Sequence, residues 1–133
     1  MSRSRILAAG LVAIATGAAS ACSDGGGREH AIAPQRWGEI EIKVETRPAP
    51  PRPGANEILV MATGPHGRPV HDLMILVRAG DQAPWTQAIQ DGYVGVYRRA
   101  LQLGPENSML QVQARSGGEQ KVFSFALAIG DRQ

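Results

Sequence analysis

The sequence contains a single cysteine, Cys22, in 133 residues, and it has only two tryptophans, two tyrosines and two phenylalanines. One cysteine excludes a disulfide within the chain, so a folded domain must be held together by apolar packing. The longest apolar run, residues 6–15 (ILAAGLVAIA), is too short for a membrane-spanning helix, which needs roughly 20 residues. The sequence therefore predicts neither a disulfide scaffold nor a membrane span.

The chain also lacks a surplus of charge after its first residues. Its formal net charge of +2 comes from Arg3 and Arg5, which precede the apolar run. Beyond residue 21 the 12 acidic side chains are matched by an equal number of basic ones. Without a basic stripe or an acidic tail, nucleic-acid binding is not expected.

The first 21 residues have the organisation of an export signal. Two arginines are followed by the apolar run and then by small residues that end in Ala19-Ser20-Ala21. We predict a signal peptide over residues 1–21; the alternative is a buried N-terminal helix of a cytosolic protein.

Cys22 follows this segment directly, and the stretch resembles a bacterial lipoprotein signal, in which a cysteine receives lipid and becomes the first mature residue. Lipidation also removes an unpaired thiol from an oxidising compartment. Family members usually have Leu three positions before the cysteine, where this chain has Ala19, so ordinary signal-peptidase cleavage is the alternative. The resemblance implies anchoring at the periplasmic face of a membrane, and Ser23 favours the outer membrane. The polar, glycine-rich residues 22–36 are then expected to form a flexible tether.

From Trp37 onward the hydrophobic period is two, which indicates β-strands with one buried face. Seven strands are expected, in windows that are separated by turn residues: 38–46, 56–63, 72–80, 84–90, 93–103, 109–115 and 120–129. Asp91-Gly92, between the fourth and fifth windows, is expected to form a hairpin turn. Seven short strands within residues 37–130 predict an all-β, immunoglobulin-like antiparallel sandwich, with a small closed barrel as the alternative.

Several motifs in this region resemble the YtkA-like (FixH-like) family of small secreted or membrane-anchored immunoglobulin-like domains. They are Pro53-Gly54 with Asn56, then Gly67-Arg68-Pro69-Val70 between two strands, and Gly95-Val96-Tyr97 leading into a strand. The resemblance covers roughly residues 52–130. Some members carry Met- and His-rich segments that have suggested copper handling, but residues 78–90 here contain neither residue type.

A different segment, residues 61–74 (MATGPHGRPVHDLM), does combine thioether and imidazole side chains. Copper is bound by such ligands, and a candidate site would use Met61, His66, His71 and Met74. Alternatively, the methionines pack on a sheet face and the histidines lie on a solvated loop. We therefore keep a periplasmic copper-binding or chaperone protein linked to oxidase assembly as the second functional hypothesis.

The aromatic residues are candidates for recognition or for packing. Trp37 and Trp85 either contact a partner or cap the core. Tyr97 is expected to hydrogen-bond the backbone near the strand entry as a corner residue, with ligand contact as the alternative. Arg98 and Arg99 are adjacent in a strand, so they should point to opposite faces.

No arrangement of catalytic residues is recognisable in the sequence. It has no Ser-His-Asp order, no Gly-x-Ser-x-Gly elbow, no phosphate-binding loop and no zinc-ligand spacing. The first hypothesis is consequently a non-enzymatic binding module that is anchored to the envelope by lipid and contacts another envelope protein through a sheet face or edge.

Overall fold

The computed structural model describes residues 31–105 and 109–130. Nine antiparallel strands form in these ranges, and a short 3-10 turn, Pro65–Gly67, lies between the third and the fourth. In chain order they are β1 (Gln35–Trp37), β2 (Ile40–Arg47), β3 (Gly54–Thr63), β4 (Met74–Ala79), β5 (Thr86–Gln87), β6 (Ile89–Gln90), β7 (Val96–Leu103), β8 (Met109–Ser116) and β9 (Glu119–Ala126). Within this described part of the chain there is no helix that could cross a membrane.

The strands form two sheets that pack face to face. One sheet has the order β1-β2-β3-β7-β6, and the other has the order β5-β4-β8-β9. The neighbours β2-β3-β7-β6 and β4-β8-β9 correspond to strands ABED and CFG of an immunoglobulin constant-type sandwich. The predicted all-β, immunoglobulin-like sandwich is confirmed, with nine strands instead of about seven.

Alternation in the sequence places the core between the sheets. Ile42 and Val44 of β2 are buried while Lys43 and Glu45 are exposed, as the period of two predicts. On β9 and just beyond it, Phe123, Phe125 and Leu127 are buried in the same way. Because each strand contributes one apolar face, the core forms without disulfides or helices in the described residues.

One of the two additional strands arises because the predicted strand 84–90 is divided between the sheets. Thr86–Gln87 pairs with β4, whereas Ile89–Gln90 pairs with β7. The N–H of Ala88, the residue between them, donates to the carbonyl of Ile75 in β4 at 2.8 Å. The chain therefore crosses from one sheet to the other directly after Ala88, and β6 is only two residues long.

The other additional strand, β1, shows that the predicted tether over residues 22–36 is too long. Gln35 and Arg36 are already part of β1, and Ile32 packs against the core. The Gln35 Nε2 donates to the carbonyl of Ser124 in β9 at 2.6 Å, and Lys121 Nζ donates to the carbonyl of Arg36 at 3.2 Å. These contacts link β1 to β9 and cover that side of the sandwich. The predicted signal peptide, 1–21, and Cys22 lie outside the described residues.

The proline-rich connection between β2 and β3 is organised by a buried side chain, Asn56, which is only 2% exposed. Its Oδ1 accepts from the N–H of Arg52 at 3.0 Å. Its Nδ2 donates to the carbonyls of Arg52 and Gly54 at 2.6 and 3.0 Å. A single amide thus satisfies three backbone groups of a loop whose prolines cannot donate hydrogen bonds.

Candidate interaction surface

Three large apolar side chains lie exposed within six residues of each other, on β6 and in the loop that follows it. Ile89, Tyr93 and Val94 are 69%, 78% and 61% exposed. We call these three residues the β6 surface. Exposed apolar side chains this close together in the chain, an aromatic among them, are candidates for contact with another protein.

The loop that carries Tyr93 and Val94 is held in place by its backbone. The predicted turn at Asp91-Gly92 is confirmed: Gly92 has a positive φ of 62°, and the N–H of Asp91 donates to the carbonyl of Val96 at 2.8 Å. At the other end of the loop, the carbonyl of Gly95 accepts from the N–H of Ala62 at 2.8 Å. The exposed side chains are therefore presented by an ordered turn between two strands.

A neighbouring loop contributes an imidazole to the same end of the sandwich. The rings of His71 and Tyr93 meet edge to face, with their centroids 5.6 Å apart. Both residues are exposed, so the two loops present an imidazole ring and a tyrosine ring side by side. Such edge-to-face pairs are favourable for aromatic rings.

A groove of about 730 Å³ runs beside Ile89 along the edge of the five-stranded sheet. Arg98 lies in this groove and bridges two carboxylates. Its Nη1 is 3.0 Å from Oε1 of Glu57, and its Nη2 is 2.7 Å from Oδ2 of Asp91. These ion pairs are partly exposed, so they contribute little to stability. They do fix the position of Arg98 across the outer face of β3, β7 and β6.

Arg99 points the other way, as the sequence predicted for two adjacent arginines in a strand. It lines the groove and also a second cavity of about 440 Å³, whose wall includes Leu73, Ala88 and Tyr97. In contrast to Arg98, Arg99 has no acidic partner within residues 31–105 and 109–130. Arg99 therefore lies near Ala88, where the chain crosses between the sheets to enter β6.

Tyr97 has a structural role, as the sequence predicted, and it is only 1% exposed. Its hydroxyl donates to the carbonyl of Val70 at 2.9 Å and accepts from the N–H of Leu73 at 3.2 Å. Burial raises the pKa of this hydroxyl above its usual value of 10.0; the hydrogen bond from Leu73 lowers the pKa and the charge of Asp72 raises it. Tyr97 thus ties β7 to the loop before β4.

Replacing Tyr97 by Phe should leave the carbonyl of Val70 and the N–H of Leu73 without their partner. We expect a loss of about 2 kcal/mol in the free energy of unfolding at pH 7, because each unsatisfied buried group costs roughly 1–3 kcal/mol. Since the folded-state pKa is raised, Tyr97 stabilises the fold fully below pH 10 and less as the pH rises above it. Urea unfolding of both proteins between pH 7 and 11 should show the stability difference shrinking at high pH. A constant difference would contradict this role.

The structure separates the four residues of the predicted copper site. Met61 lies on the outer face of the five-stranded sheet, between the inward-facing Val60 and Ala62. Met74 lies on the outer face of the four-stranded sheet, next to the buried Ile75. His66, on the 3-10 turn, and His71 are exposed between them. Because two packed sheets lie between the methionines, the four side chains do not form one cluster, and copper binding stays a prediction.

The two tryptophans have different surroundings. Trp37 packs against the core, in agreement with the capping interpretation. Trp85 is half-buried beside β4, where the guanidinium of Arg78 lies 4.3 Å from its ring centroid and also donates to Gln111 at 2.6 Å. Trp85 consequently remains a candidate partner contact on the four-stranded sheet.

Sequence reasoning missed the residues that distinguish the β6 surface and its groove. Ile89 was expected to be part of one continuous strand, and Arg99 carried no expectation beyond its direction. The Asp91-Gly92 turn signal could have indicated that Tyr93 and Val94 lie at a loop tip. Nothing local in the sequence indicates that β6 ends after two residues.

No protein-family model, no curated protein and no solved structure matches this chain.

Proposed function

We propose that this protein is a lipid-anchored β-sandwich of the bacterial cell envelope, related to the YtkA-like domains, that binds another envelope protein without catalysing a reaction. The observation that supports binding is the β6 surface, where Ile89, Tyr93 and Val94 are each more than half exposed. Aromatic and branched apolar side chains at an interface lose water on association, which makes them common binding hot spots.

Rigidity of this surface also supports a binding role. The loop is fixed at both ends by backbone hydrogen bonds of 2.8 Å, from Asp91 and from Ala62. A preorganised surface loses little conformational entropy when a partner docks. The β6 surface would therefore need no folding step before a partner binds.

The interaction surface can be tested by photo-crosslinking in the cell envelope. A photoreactive amino acid at Ile89 should give one adduct of defined mass, whereas the same group at Gln120, exposed on β9, should not. Replacing Tyr93 and Val94 together by Ser should reduce the Ile89 adduct at least tenfold, because a hot-spot residue contributes roughly 2 kcal/mol or more. Stability should change little, since both side chains are exposed. Equal adducts at Ile89 and Gln120, or an adduct unaffected by the two Ser substitutions, would refute the proposal.

The anchor is tested separately through Cys22. Cys22→Ala should shift the protein from the membrane pellet to soluble or unprocessed material, because stable membrane attachment needs the acyl chains that this cysteine would carry. Fractionation and mass spectrometry of the mature N-terminus check this outcome. A soluble wild-type protein with a free Cys22 thiol would instead establish ordinary signal-peptidase cleavage.

A further inference from the structure

Because β6 begins only at Ile89, part of β7 has no neighbouring strand on that side among the residues that the structure describes. In an antiparallel pair, successive residues direct their backbone groups alternately to one side and the other. The carbonyl of Gly95 bonds to β3 and the carbonyl of Val96 bonds to Asp91 beside β6. Even-numbered residues of β7 therefore direct their N–H and C=O groups toward β6.

Two of these residues lie beyond the pairing partner of Ile89, the first residue of β6. Ile89 pairs with Arg98, but the next even-numbered residues, Ala100 and Gln102, have no strand opposite them in the described part of the chain. Ala88 cannot extend the pairing, because its N–H bonds to Ile75 in the other sheet. Within residues 31–105 and 109–130, this leaves an open edge over residues 100–103, about 13 Å long at 3.3 Å per residue.

The two edges of the five-stranded sheet differ in how they are covered. On the far side, β1 is joined to β9 by the hydrogen bonds of Gln35 and Lys121. Beside Ala100 the surface is instead the groove of about 730 Å³ that Ile89 and Arg99 line. An open edge beside a groove can accept an extended peptide as an added strand.

The charges in this groove indicate which side chain such a peptide would carry. The guanidinium of Arg98 is already paired with two carboxylates, Glu57 at 3.0 Å and Asp91 at 2.7 Å. Arg99 lines the same groove and has no acidic partner among the residues that the structure describes. A carboxylate on the incoming strand would pair with the guanidinium of Arg99, because arginine binds carboxylates through two parallel hydrogen bonds.

We propose that the edge of β7 at Ala100 and Gln102 binds an extended, acidic segment of the partner protein, which adds a strand to the sheet and places a carboxylate against Arg99. This inference rests on the proposed binding function and specifies the mode of recognition. Backbone hydrogen bonds to Ala100 and Gln102 would provide affinity, while Arg99 and the exposed Ile89 would select acidic and apolar side chains.

The test uses the full-length protein and a blocked pentapeptide, acetyl-Thr-Val-Glu-Val-Thr-amide, at millimolar concentration. Binding is followed by NMR titration, and amide hydrogen exchange is measured at Ala100 and Gln102. We expect exchange at both amides to slow, and we expect a matched peptide with Lys in place of Glu to bind at least tenfold more weakly.

Three variants complete the experiment. Arg99→Gln should weaken binding of the Glu peptide at least tenfold, whereas Arg115→Gln, which removes an exposed arginine from β8, should leave the affinity within twofold. Gln102→Pro should also weaken binding, because it removes an edge N–H that is not part of the internal ladder. The two edge variants change different groups, so one remains informative if the other fails to fold.

The inference is overturned if the peptide does not bind, if it binds without slowing exchange at Ala100 and Gln102, or if Arg99→Gln leaves its affinity unchanged. Self-association of Arg99→Gln with unchanged peptide affinity would likewise overturn it, and would identify Arg99 as a charge that guards the edge against aggregation. In each of these cases a persistent Ile89 photo-adduct would leave the proposed binding function standing.

Discussion

Gly95→Ala should destabilise the fold by about 3 kcal/mol or more. Gly95 has a positive φ of 73°, a conformation that costs an L-residue about 1–2 kcal/mol. A Cβ at this position would also lie 2.6 Å from the carbonyl oxygen of Ala62 and 3.0 Å from the Cβ of Pro69. Since the oxygen belongs to β3 and the proline to the adjoining loop, neither atom can move like the end of a flexible side chain.

Gly92→Ala in the same loop is the matched control. Gly92 has a similar φ of 62°, but apart from its chain neighbours no atom of the described residues lies within 4 Å of its expected Cβ. Only the cost of the positive φ should remain, so we expect a loss of about 1 kcal/mol in the free energy of unfolding. Urea unfolding of both variants measures the difference; equal losses would show that the close approach of Gly95 to β3 does not constrain the fold.

The Gly95 substitution should also affect binding, because the loop with Tyr93 and Val94 ends at this residue. The carbonyl of Gly95 accepts from the N–H of Ala62 at 2.8 Å, and a shift that relieves the clash would lengthen this hydrogen bond. At a temperature where the variant remains folded, the photo-adduct at Ile89 should still decrease relative to Gly92→Ala. An unchanged yield of the Ile89 adduct would show that the position of this loop does not affect partner binding.

Asn56→Ala should cost about 2–4 kcal/mol in the free energy of unfolding. The substitution leaves the N–H of Arg52 and the carbonyls of Arg52 and Gly54 without the amide that satisfies them. Asn56 itself is 2% exposed, so water does not readily take the place of the side chain. Each buried polar group that loses its partner costs roughly 1–3 kcal/mol, and partial relaxation of the loop offsets some of the sum.

Thr46→Val provides the control for this prediction at the other end of the same connection. Thr46 is also buried, and its hydroxyl makes one hydrogen bond, to the carbonyl of Pro48 at 2.9 Å. Valine keeps the shape and removes that single bond, so we expect a loss of about 1 kcal/mol. Thermal and urea unfolding should rank Asn56→Ala well below Thr46→Val in stability; the reverse order would mean that Asn56 does not organise the loop.

The sequence by itself determined which residues face the core. The period of two in β2 and β9 predicts the buried sides correctly, because side chains of a strand alternate regardless of the strand's neighbours. The same local rule predicts the opposite directions of Arg98 and Arg99. Turn chemistry is local too, and Asp91-Gly92 was correctly placed at a turn.

Only the tertiary structure decided which sheet each backbone group joins. Residues 84–90 have the pattern of one strand, but Thr86 pairs with β4 and Ile89 pairs with β7. Likewise Met61 and Met74 are close in sequence and lie on opposite outer faces. Hydrogen-bond partners in a sheet are distant in the chain, so alternation, which fixes only the face of each side chain, contains no information about them. The open edge of β7 and the groove beside Arg99 both arise from that choice of partner.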